Sequence, residues 1–128
     1  MSAERKQKIR FINVLASLRN ELYFERLEQL EAARNPDIPD ARRKEHLEWA
    51  QALEGWSKRI KVEMDELRTG FLRQWLDGAD VMVQEMARAT AKVDEVHKDM
   101  EQTVEDAQVF VRLVGKLDDV IGIVRPFL

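Results

Sequence analysis

Asn35-Pro36-Asp37-Ile38-Pro39-Asp40 decides how this chain is divided. Proline pushes the residue before it out of helical geometry, so two prolines in six residues end the helix that precedes them. Asp37 and Asp40 are both suited to cap the next helix, because a short carboxylate accepts from the free N–H groups of a first turn. One helix is therefore expected before this turn and another from about Asp40.

Before the turn, Phe11, Leu15, Leu18 and Leu22 recur at +4, +3, +4. Tyr23, Leu27 and Leu30 continue the stripe after a one-residue phase shift, and no Gly or Pro interrupts residues 3–34. That is the helical period, and 32 residues at ~1.5 Å each give a helix roughly 48 Å long. The run 11–18 (FINVLASL) follows a basic start, as a secretion signal would. It contains Asn13 and is followed at once by Arg19, Asn20 and Glu21, so it is read as part of the first amphipathic helix.

After the turn the period changes. Trp49, Ile60, Phe71, Met82, Val93 and Val104 recur every 11 residues. Leu53, Met64, Trp75, Met86 and His97 form a second row, and Trp56, Leu67, Gly78, Ala89 and Met100 a third. An 11-residue repeat keeps an apolar seam nearly straight along a helix. Beside it runs a second apolar line, Leu72, Leu76, Ala79 and Val83, and a seam that wide needs more than one neighbour. A bundle is expected rather than a two-stranded coil.

Within Leu76-Asp77-Gly78-Ala79-Asp80, Gly78 suits the residue just past a helix and Asp80 suits an N-cap. The 11-residue phase, however, runs straight through. The expected fold is all-α: one domain over residues 1–128, an antiparallel bundle of three long helices near 3–34, 40–77 and 80–124. The alternative makes the second and third helices continuous.

The last segment carries a broad apolar face of Phe110, Leu113, Val114, Leu117, Val120, Ile121 and Val124, and ends in Arg125-Pro126-Phe127-Leu128. Such a face is first a core face and second a docking surface for another subunit. A membrane-surface role is disfavoured because its polar side is not rich in Lys and Arg. Helices of about 32, 38 and 45 residues would leave the third overhanging the first by roughly 20 Å. An apolar overhang invites a second copy, so a homodimer through Phe110, Leu113, Leu117, Val120, Ile121, Val124, Phe127 and Leu128 is expected, with a foreign protein partner satisfying the same surface.

Composition removes several classes. The 128 residues are 45% hydrophobic and 35% charged, with no Cys, which excludes a disulfide scaffold and a thiolate metal site. A net charge of −3 disfavours coating a nucleic-acid duplex. No run approaches the ~20 apolar residues of a membrane span, and the lack of Cys fits a cytoplasmic location.

Charge is arranged in blocks. Residues 1–20 carry net +4, 21–40 net −4, 41–61 net +3, 62–108 net −7 and 109–128 net +1. Alternating signs suit antiparallel neighbours. Arg42, Arg43 and Lys44 break local preference, since the first turn of a helix favours anions. These three are therefore candidate contacts for an acidic partner or a phosphate.

Signatures of catalysis are missing: no phosphate loop, no GxGxxG, no HExxH and no GxSxG. Asp94, His97 and Glu101 share one helical face and form a candidate carboxylate and imidazole metal site. His97 also occupies an apolar position of the repeat, which favours a structural role. His46 lies beside Arg42 and Arg43, a poor setting for a cation. Trp49, Trp56 and Trp75 are first core residues and second interface anchors. The expected function is a non-enzymatic protein–protein interaction module (a subunit, adaptor, chaperone or inhibitor) with no cofactor and no small-molecule substrate. The alternative is a nucleic-acid-associated regulator using Arg42, Arg43, Lys44, Lys58, Arg59 and Lys61.

Overall fold

A computed structural model describes residues 3–69, 74–100, 104 and 106–128, apart from the side chains of residues 4 and 74–80. Every regular element among them is helical: α1 (Ala3–Arg34), α2 (Asp40–Thr69), α3 (Gln74–Asp99) and α4 (Ala107–Val124), closed by a 3₁₀ turn at Arg125–Phe127.

The Pro-rich turn behaves as its residues dictate. Asn35 bonds back to the Ala32 carbonyl at 3.2 Å, and its side chain accepts the Asp37 N–H at 3.0 Å. Pro39 then opens α2, its carbonyl accepting the N–H groups of Arg42 and Arg43 at 3.0 Å each. Asp40 lies inside the first turn and pairs with Arg43. That carboxylate offsets part of the unfavourable cation cluster.

Cross-contacts fix the directions of the helices. Between α1 and α2, Arg19 reaches Ser57, Arg26 reaches Glu54 and Gln29 reaches His46, so the two run antiparallel. Between α1 and α3, Gln7 meets Thr90 and Glu21 meets His97, so these two run parallel. The ring of Phe11 meets that of Phe127 edge-on at 5.5 Å, and Trp49 stacks on Phe110 at 5.3 Å. Helix α4 therefore descends beside α2 and opposes α1, giving an up-down-up-down bundle.

Three helices become four. The chain does not turn at Gly78, which lies inside α3; α2 ends at Thr69 and α3 starts at Gln74. The expected third helix is itself two, because it stops at Asp99 and resumes at Ala107. Asp106 makes the restart: its backbone is extended and its carboxylate accepts the Val109 N–H at 2.9 Å, an N-cap. The 11-residue phase survived these reversals because it records which residues face inward and carries no information about direction. With helices of 32, 30, 26 and 18 residues, the third no longer outreaches the first, as the expected overhang required.

The core follows the repeat. Trp49, Ile60, Met82, Val93 and Val104 are buried, as are Leu53, Met64, Met86, Leu67, Ala89 and Met100. They meet Phe11, Leu15, Leu18 and Leu22 of α1 and Leu117, Val120, Ile121 and Val124 of α4 in one cluster. Trp56 is only half-buried, and Phe71 and Leu72 lie outside the described residues. Among the described residues, no helix is long and apolar enough to cross a membrane.

Candidate functional site

Helix α1 carries two faces. Its inward positions run 11, 15, 18, 22, 25 and 29 in one unbroken phase, all buried. The last two are Glu25 and Gln29, which are polar. The apolar residues assigned to the end of this stripe by sequence point elsewhere: Tyr23 and Leu27 are exposed and Leu30 is half-buried. The phase shift after Leu22 marks a second, outward stripe rather than a continuation of the core.

Glu25 and Gln29 are inside because they hold the backbone of Val104, which belongs to no helix. The Val104 N–H donates to Glu25 Oε1 at 2.8 Å, and Gln29 Nε2 donates to the Val104 carbonyl at 3.1 Å. Gln29 Nε2 also donates to Glu25 Oε1 at 3.0 Å. With its amide nitrogen donating, Gln29 presents Oε1 to His46 Nδ1 at 2.6 Å, so that ring nitrogen carries the hydrogen. His46 is buried and packs edge-on against Trp49. One node thus joins α1, α2 and the segment leading into α4.

Burial pushes the Glu25 carboxyl above its ordinary value, while the Val104 N–H and the Gln29 amide pull it partly back. A small cavity lined by Glu25, Asp99, Val104, Arg112 and Lys116 adjoins the node. At the other end of the core, burial also raises the Glu63 carboxyl, against the opposing charges of Arg59 and Arg125. One Glu63 oxygen is buried without a hydrogen-bond partner.

The outward side of α1 is the most apolar open surface of the helix. Tyr23 is 49% exposed and Phe24 52%, their rings in edge contact at 5.8 Å, and Leu27 and Ile9 are exposed on the same side. Leu27, Leu30, Glu31 and Arg34 line a shallow depression at its end. Between α1 and α2, a groove is lined by Arg19, Asn20, Tyr23, Lys61 and Arg68 among others.

The C-terminal docking face is covered by the chain itself. Leu113, Leu117, Val120, Ile121, Val124 and Phe127 are buried in the bundle core, and Phe110 is half-buried on Trp49. Of that set Leu128 alone is exposed. The basic residues fall into two separate patches: Lys44 and Lys61 are 17 residues apart, about 25 Å along α2. Arg43 pairs with Asp40, Lys58 with Glu54 at 3.4 Å and Lys61 with Asp65 at 4.0 Å, while Arg59 lies 5.2 Å over the Trp56 ring. Arg42 and Lys44 are exposed on the first turns of α2.

His97 is half-buried and faces Glu21 of α1 at 3.6 Å, while Asp94 pairs with Lys98 at 3.2 Å. Glu101 lies outside the described residues. Among the described residues, no group of three or more potential ligands is placed to hold a metal ion.

Compared with protein-family models, with curated proteins and with solved structures, the chain matches none.

Proposed function

We propose that this chain is a non-enzymatic protein–protein interaction module that makes contact through the outward face of α1. One observation carries the reading: Tyr23, Phe24 and Leu27 are held in solvent on the same helix that buries Glu25 and Gln29. Large apolar surfaces that are grouped in this way mark contact sites, whereas the other exposed ones, such as Leu47, Val62, Val81 and Val111, are spread over the other helices. Aromatic residues are also enriched at the centres of protein interfaces. The test is isolation of tagged chain from its native cells, wild type beside Phe24→Asp. Proteins captured by the wild type and lost from the variant support the reading. An identical set from both contradicts it.

A second reading has a narrower basis. Arg19, Lys61 and Arg68 line the α1–α2 groove beside Tyr23, as a site for single-stranded nucleic acid would require. Lys61 and Arg68 already pair with Asp65, which weakens it. Binding to single strands that falls steeply with salt is its signature.

A further inference from the structure

We propose that the occupant of the α1 face is a second copy of this chain, its α1 laid antiparallel on the first about a two-fold axis near Ala16 and Asn20. The inference rests on the contact reading above and names the partner. Ile9 and Leu27 are 18 residues apart, which is five turns at ~3.6 residues per turn, so both project from one line of the helix. Both are exposed. An antiparallel two-fold exchanges them: Ile9 of each copy lies level with Leu27 of the other, making two equivalent apolar contacts. By the same operation Phe24 comes within one residue of Asn13 of the second copy. Near the axis, the exposed residues are Ser17 and Asn20, small enough for two helices to approach closely.

Charge selects the orientation. Residues 1–20 carry net +4, whereas residues 21–34 hold four Glu against two Arg. Antiparallel pairing sets opposite signs against each other at both ends, and parallel pairing sets like against like. By the same operation Glu31 of the second copy comes within one residue of Lys6, and Glu28 within two residues of Arg10. Lys6, Arg10, Glu28 and Glu31 are all exposed. Among the described residues, no ion pair within the chain engages Lys6, Arg10 or Glu31. Five-turn spacing of apolar residues and halves of opposite charge make this face complementary to itself, which favours a second copy over a foreign partner.

Sedimentation equilibrium of the purified full chain tests this. Wild type is expected to dimerise, and Glu31→Lys to raise the dimer dissociation constant about tenfold or more. Adding Lys6→Glu to Glu31→Lys restores opposite signs and is expected to bring the constant back toward wild type. Leu27→Asp replaces an exposed residue, so its circular dichroism should remain helical while the protein becomes monomeric. Wild type that stays monomeric at concentrations on the order of 100 μM overturns the pairing. A dimer indifferent to Glu31→Lys and Leu27→Asp overturns it equally. A monomer that still captures a protein from native cells through Phe24 means that the self-pairing is wrong and the contact reading stands with a foreign occupant.

Discussion

The Gln29 amide donates to the backbone carbonyl of Val104, 75 residues further along the chain, at 3.1 Å. Its own oxygen accepts from His46 at 2.6 Å. One side chain therefore ties the entry of α4 to α1 and α2. Gln29→Leu removes it and leaves the Val104 carbonyl and the His46 Nδ1–H without partners. A cost of about 1–3 kcal/mol per unpaired group is expected, measured by denaturant unfolding. An unchanged midpoint would show that the node is ornamental.

The C-terminal helix tests the assignment of its apolar face. Val120 is fully buried, so Val120→Asp places an unpaired charge in the core. A loss on the order of 4 kcal/mol or more is expected, and with it the cooperative unfolding transition. A folded variant with altered association alone would return this face to the surface.

Three glycines lie inside helices with open space where a Cβ would stand, Gly55 in α2 and Gly115 and Gly122 in α4. Alanine costs less backbone entropy than glycine in a helix. Gly55→Ala and Gly122→Ala are each expected to stabilise by roughly 0.5–1 kcal/mol, seen as a higher denaturation midpoint.

Glu25 and Glu63 give stability a defined pH slope. Both carboxyls sit above their ordinary value in the folded chain, so the native state binds more protons than the unfolded state between that value and the raised one. Stability must then fall as pH rises through this window, and recover on acidification from neutrality toward the ordinary carboxylate value. Glu63→Gln should shrink the dependence. Melting temperatures of wild type and variant at about pH 5 and pH 7.5 check the sign, and a steeper slope in the variant is the contrary result.

Much of this architecture is legible in the residues. The Pro-rich turn and the extent of α1 follow from backbone chemistry, and the 11-residue rows name most of the core. The helix ends after Thr69 and Asp99 were harder. Gly70 directly follows Thr69 in the sequence, yet Gly78 is flanked by the stronger cap signals and draws the break to itself. No Gly or Pro lies between Ala79 and Val114, so the restart at Asp106 rests on one capping carboxylate. The two faces of α1 were hidden for a different reason. Periodicity groups apolar residues with a core, whereas here Glu25 and Gln29 earn burial through bonds to Val104, a partner that only the folded chain supplies.

The outward face of α1 is open to one direct measurement. Hydroxyl-radical footprinting reads the solvent access of Tyr23 and Phe24, with buried Trp49 as the internal control. In dilute purified protein both residues should oxidise readily while Trp49 resists. In the chain's native cells, Tyr23 and Phe24 are expected to become protected and Trp49 to remain unchanged. Tyr23 and Phe24 as reactive in cells as in dilute solution would contradict a contact at this face.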